Sequence, residues 1–267
     1  MSARSIRRTH EREAERRRRR VRRASLATGA VLGTSALFAP GASAANFPVN
    51  TLDDSVSDGT CDADCTLSDA VAGANADATL DTVTFDPGLA GEDVLVSGPI
   101  QIINDISIQG PGASQISISG DSNGNDARDL GGADTRIFQI PPPGGINPPL
   151  RNVSISGLTL REGVAPVVSY YGSGGAIQAS GTDLTLTDVV IEDNLAESTG
   201  GGLNLNNGSL RMSGSQVLDN RALAVAGGLR AGAYSEGSEI VITSSTFDGN
   251  RAGNDAPSGP YGFPTAG

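Results

Sequence analysis

Three carboxylates recur at one place in the repeated part of this sequence. Glu162, Asp193 and Asp219 each stand immediately before a Gly or Asn corner residue, and Arg221 and Arg251 follow that corner in the last two repeats. If equivalent residues of successive repeats stack at the ~4.8 Å spacing of parallel strands, the carboxylates repel one another. Such repulsion raises one pKa or recruits a cation. Three chemistries fit: acid–base hydrolysis of a glycosidic bond, a Ca²⁺ site, or Ca²⁺-assisted elimination with an arginine as base. The competing reading is a solvated acidic corner partly neutralised by arginine. It is preferred, because exposed ion pairs are common and individually weak. Beyond that Ca²⁺, no cofactor is expected.

Two other sets of residues could act on a ligand. Asp121-Ser122-Asn123-Gly124-Asn125-Asp126 places oxygens at alternate positions, yet it lacks a glycine at the sixth place and a glutamate at the twelfth. It therefore reads as a polar turn rather than a calcium loop. Tyr170, Tyr171 and Tyr234 fall in two insertions between repeats. Aromatic rings on protruding loops stack on sugar rings, and the phenol adds a hydrogen-bonding handle. These three are the expected ligand-binding residues, against the plainer reading of loop packing.

The ends of the chain differ sharply in charge. Eleven arginines lie between Arg4 and Arg23, followed by an apolar run from Ser25 to Ala39, then Pro40-Gly41 and Ala42-Ser43-Ala44. A basic region, a short apolar region and an A-x-A site describe a cleavable secretory signal over residues 1–44. The run is shorter than the ~20 apolar residues of a membrane span, so no transmembrane segment is expected after cleavage. Residues 45–267 hold 8 Arg, no Lys, no His and 27 acidic residues, a net charge of −19. Such a chain should not bind nucleic acid, whose affinity comes from cationic side chains. Export also places Cys61 and Cys65, the only cysteines, in an oxidising space, where a disulfide is expected. A zinc site is disfavoured, since two sulfurs without a histidine cannot complete a tetrahedral shell.

Positioning these groups falls to a repeat. Val153–Gly163, Leu184–Asn194, Leu210–Asn220 and Ile240–Asn250 align without gaps, their starts 31, 26 and 30 residues apart. Four apolar columns result: Val153/Leu184/Leu210/Ile240, Ile155/Leu186/Met212/Ile242, Leu160/Ile191/Val217/Phe247 and Ile177/Leu203/Leu229. Period-two spacing puts the first two on one strand face. No single repeat can bury its apolar face alone, whereas a stack of repeats can. The predicted fold is all-β, a right-handed parallel β-helix of ~26-residue coils. Asn194, Asn220 and Asn250 should form a structural ladder of stacked amides, occupying with Gly163 a corner that needs φ > 0. Gly175, Gly201 and Gly227 form a second turn column. Earlier strands are expected around residues 94–96, 100–103, 106–108, 116–118 and 137–140. The proline run 141–149 reads as a loop extruded between coils.

Residues 61–75, CDADCTLSDAVAGAN, resemble the CSLREA-type N-terminal segment of exported bacterial β-helix proteins. The later GGAI (174–177) and Phe247-Asp248-Gly249-Asn250 resemble polymorphic-outer-membrane-protein repeats. The resemblance covers about residues 50–252 and speaks to fold and export rather than to one chemistry. Thr66-Leu67-Ser68-Asp69 has the form of a capping box, and Leu67, Ala70, Val71 and Ala74 make one apolar helical face. A short capping helix pinned by Cys61–Cys65 is therefore expected within residues 45–80, followed by the β-helix over 81–252. The tail 253–267 covers the far end, or the chain is truncated relative to its relatives.

The preferred reading is a non-catalytic protein, secreted or at the cell surface, presenting a face to a polysaccharide or a cell-surface protein. The alternative is an extracellular polysaccharide lyase or glycoside hydrolase of the pectin-degrading type. The histidine and lysine of pectin hydrolases are missing from residues 45–267.

Overall fold

The computed structural model describes residues 43–125, 130, 132–144, 148–165, 172–234 and 236–253, all in one compact unit spanning Ala42–Gly267. Its early strands are β1 (Asn46–Val49), β2 (Asp81–Phe85), β3 (Glu92–Leu95), β4 (Ile100–Gln101), β5 (Ile106–Gln109), β6 (Ile116–Ser119) and β7 (Phe138–Ile140). Next come β8 (Arg151–Ser156), β9 (Thr159–Arg161), β10 (Ile177–Thr187), β11 (Val190–Glu192) and β12 (Leu195–Ala196). The chain continues through β13 (Leu203–Ser213), β14 (Gln216–Leu218), β15 (Arg221–Ala222), β16 (Leu229–Gly232), β17 (Ile240–Thr243), β18 (Thr246–Asp248) and β19 (Arg251–Ala252). Helix α1 (Leu67–Ala74) lies between β1 and β2.

Every strand pair among the described residues is parallel. The first sheet runs β1-β2-β5-β8-β10-β13-β16, with β4, β7 and β17 attached. The second runs β3-β6-β9-β11-β14-β18, and the third β12-β15-β19. From β10 onward the chain visits the first, second and third sheets in turn and then begins again, so each circuit hydrogen-bonds to the one before. Hydrophobic burial sets the register, because a one-residue slip would turn every inward side chain outward. Val153 pairs with Leu184, Leu184 with Leu210 and Leu210 with Ile240. Leu160, Ile191, Val217 and Phe247 pair likewise across the second sheet. The apolar residues read from the repeat thus meet as columns, and all but those of the last circuits are buried in one core.

Insertions sit at the edges of this register. β10 is one continuous strand that pairs with both β7 and β8, so the proline-rich segment 141–150 is extra chain between two strands of a single circuit. β13 pairs in the same way with both β16 and β17, bracketing the excursion that carries Tyr234.

The corners correct one expectation. Positive φ falls on Glu162 (57°), Asp193 (53°), Asp219 (49°) and Gly249 (64°), one residue before the Gly163/Asn column. The asparagines instead turn inward: Asn194 donates its side-chain amide to the Asn220 carboxamide oxygen at 2.8 Å, and Asn220 donates to that of Asn250 at 3.0 Å. They also bond the main chain at Leu160, Ile191 and Val217. Their conservative role is to satisfy buried backbone groups. The Gly175/Gly201/Gly227 column likewise serves by its size, since a Cβ on Gly201 would lie 2.1 Å from the Gly227 carbonyl oxygen. Left-handed geometry belongs to the residue before it, Gly174, Gly200 or Ala226.

Helix α1 begins with the capping box read from the sequence: the Thr66 hydroxyl accepts from the Asp69 amide, and the Asp69 carboxylate accepts from the Thr66 amide. Leu67, Ala70, Val71 and Ala74 are buried against β1, β2 and β4. Asp54 receives the Ser68 amide and hydroxyl at 2.8 and 2.6 Å, and the Asn75 side chain bonds the main chain of Gln101 and Ile103. A disulfide joins Cys61 to Cys65. At the opposite end of the sheets Ile240 is 39% and Phe247 44% exposed; residues 254–267 of the tail expected to cover that end lie outside the described residues.

Candidate functional site

The acidic corner is assembled by the turn from the second sheet to the third. Glu162, Asp193 and Asp219 share left-handed backbone there; Asp193 and Asp219 are exposed, whereas the Glu162 side chain is 13% exposed. Glu162 is engaged at both oxygens, receiving Arg161 at 2.8 Å and the Ser119 hydroxyl at 2.7 Å. Arg161 also reaches Asp93 at 2.6 Å. The sequence passed over Glu192, the residue beneath this corner. Its partly buried carboxyl is pushed above the ordinary value first by desolvation and then by Asp193, with Glu162 and Asp219 adding to the rise and Arg161 opposing it. Arg161 is thus one guanidinium that acts on this corner. Arg221 lies on β15, paired with Leu195 of β12 and Arg251 of β19, and its buried Nη2 has no hydrogen-bond partner.

Among the described residues no group of three or more His, Cys, Asp or Glu side chains is placed to hold a metal ion. Asp121 begins the turn considered as a calcium loop, and its backbone amide donates to the Ser119 hydroxyl at 3.1 Å; Asp126 lies outside the described residues. So do Tyr170 and Tyr171.

A second site lies on the outer face of the first sheet. It is a groove of about 640 Å³ spanning β7, β10, β13 and β16. Its floor is formed by Gln139, Gln178, Asn204 and Arg230, which continue a register row that begins at Gln101. Gln101 pairs with Gln139, Gln139 with Gln178, Gln178 with Asn204 and Asn204 with Arg230. These residues alternate with the inward Phe138/Ile177/Leu203 and Ile140/Ala179/Leu205 positions, so the strand pleat turns them all the same way. Asn204 donates to Gln178 at 2.9 Å, and Arg230 donates to Asn204 at 3.2 Å. Arg136 lies under the other end. It is 3% exposed, donates to Gln139 and to the Ser173 and Gly174 carbonyl oxygens, and burial lowers its pKa to about 10.

Tyr234 lies beside this groove. Arg230 donates to its phenol oxygen at 3.3 Å, and its ring lies against Gly232, where a Cβ would come within 2.4 Å of it. Gly232 pairs with Asn206, which lines the groove. The ring itself is 68% exposed. Of the three tyrosines read as ligand-binding, the described structure thus places one, Tyr234, beside a groove. The motifs SGGAIQA, GGGLNL and AGGLRA already held Gln178, Asn204 and Arg230 in one column; recognising a site there required knowing that this column faces a concave surface.

Comparison with family models, with curated proteins and with solved structures finds no match to this chain. Among the described residues no helix is long and apolar enough to cross a membrane.

Proposed function

We propose that this chain is an exported, non-catalytic right-handed parallel β-helix that holds a polysaccharide or protein partner on the outer face of its first sheet. One observation carries the reading: five successive circuits place Gln101, Gln139, Gln178, Asn204 and Arg230 in register, forming a polar row along the stack. A repeated row of side chains with donors and acceptors suits a repeated ligand. Right-handedness is inferred from the cyclic sheet order, because parallel crossovers are right-handed in about 98% of cases. Export and a secreted or cell-surface location are inferred from the basic, apolar and A-x-A segments of residues 1–44. Kinship with the CSLREA-type β-helix proteins is supported by the helix-capping segment 61–75, and α1 acts as the lid of the stack.

A hydrolase reading draws on the carboxylates gathered at the acidic corner, Glu162, Glu192, Asp193 and Asp219, which act on one another electrostatically. One assay separates the two. Residues 45–267 are incubated with insoluble and soluble polysaccharides, and both co-sedimentation and release of reducing ends are measured. Retention of polymer without new reducing ends is expected. Turnover lost in Glu192→Gln would replace the binding reading with the enzymatic one.

A further inference from the structure

We infer that the groove binds an extended, uncharged glycan, one sugar residue per circuit, with its terminal ring packed on Tyr234. This inference rests on the binding reading above and names the ligand class and its contacts.

The groove repeats at the spacing of parallel strands, ~4.8 Å. One pyranose advances an extended glycan by a comparable distance, so successive sugars meet chemically equivalent side chains. Gln139 and Gln178 are carboxamides whose oxygens accept from Arg136 and Asn204, so their amide hydrogens face sugar oxygens, while Asn204, 4% exposed, braces the row between Gln178 and Arg230. Ser180 and Asn206 form a second outward row, paired in register two positions along the same strands. The Thr199 hydroxyl also lines the groove, and its buried oxygen has no hydrogen-bond partner. A buried polar atom of that kind is satisfied by a ligand or by water.

Charge decides between neutral and acidic glycans. Among the described residues no carboxylate lines the groove, and the one lining cation, Arg230, donates to two neutral acceptors, Asn204 and Tyr234. Arg136 faces inward onto carbonyl oxygens. A polyanion would also meet the field of a chain carrying 27 acidic residues against 8 arginines after residue 44, which repels it before contact. Tyr234 supplies the apolar contact that carbohydrate C–H faces require. The ring lies against Gly232 and its phenol accepts from Arg230, so part of the side-chain freedom that binding would cost is already given up.

The test is calorimetric titration of residues 45–267 with cellohexaose, xylohexaose, mannohexaose and hexagalacturonate at physiological salt. Binding of at least one neutral hexamer is expected, with hexagalacturonate at least tenfold weaker. Tyr234→Ala and the double variant Gln178→Ala/Asn204→Ala should each weaken binding about tenfold or more. Tyr234→Phe should stay within about threefold, because it keeps the ring. Circular dichroism and thermal melting of each variant establish that the fold is retained. Binding unaffected by all groove variants would overturn the groove assignment while leaving a binding function intact. Preference for hexagalacturonate would overturn the ligand class. Binding to none of the four probes would overturn the inference, and the co-sedimentation assay separately decides whether a binding function survives.

Discussion

Leu210 and Ile240 occupy the same position one circuit apart, pair directly in register and live in different surroundings. Leu210 is fully buried because Ile240 covers it, while Ile240 is 39% exposed because no described circuit lies beyond. At the other end the first strand meets helix α1 instead, and Leu67, Ala70, Val71 and Ala74 are all buried there. Burial in this molecule is therefore supplied by the next element in the stack rather than by the residue's own circuit. Stability becomes a sum of nearest-neighbour terms, and equal substitutions should cost unequal amounts along one column.

The largest expected effect tests that inequality. Leu210→Ala should lose about 3 kcal/mol, in the range of large-to-small core substitutions, while Ile240→Ala should lose about 1 kcal/mol or less. Urea denaturation of both variants checks the difference, and equal losses would break the comparison. Asn220→Ala should cost about 2 kcal/mol, because it strands buried groups at Asn194 and Ile191 that the carboxamide now satisfies. Asn250→Ala, nearer the far end, should cost less. At the covered end, Cys61→Ala should cost about 2 kcal/mol or less, since the closed loop is short. It should also raise light scattering on storage, as α1 loosens from the end of the core.

Protonation sharpens the comparison further. Burial works to raise the Asp69 carboxyl, but donors from Ser57, Thr66 and Gly59 outweigh it and hold its pKa below the ordinary 3.8. A depressed folded pKa gives stability that is present above the unfolded value and lost as pH falls through the folded one. Unfolding midpoints should therefore drop below about pH 4, and Asp69→Asn should flatten that dependence. Glu192 has the opposite sign. Its raised pKa is a penalty at neutral pH that acid relieves, so Glu192→Gln should raise the midpoint slightly at pH 7 and leave it unchanged where the carboxyl is already protonated.

Much of the scaffold could be read from residue order alone. The apolar columns, the Asn194–Asn220–Asn250 ladder, the capping box at Thr66 and the Cys61–Cys65 pair follow from local rules that stacking leaves intact. The corner conformation did not follow. Asparagine tolerates positive φ, yet here the preceding carboxylate adopts it, because the asparagine is needed inside to bond the backbone. The groove was missed for a different reason. Gln178, Asn204 and Arg230 were visible as a column, but Gln139 joins them only through a circuit interrupted by residues 141–150, and no local pattern spans that gap.

The core columns and the polar row both require successive circuits to lie in register, and spin-label distances across β10 and β13 test this most directly. Both native cysteines are in the disulfide and no free thiol remains, so Thr185→Cys and Arg211→Cys can be labelled selectively. These outward residues are register partners, about 4.8 Å apart along the stack. Strong dipolar broadening is expected in the doubly labelled protein. A spectrum equal to the sum of the two singly labelled proteins would contradict the stacking and, with it, the polar row on which the binding site is built.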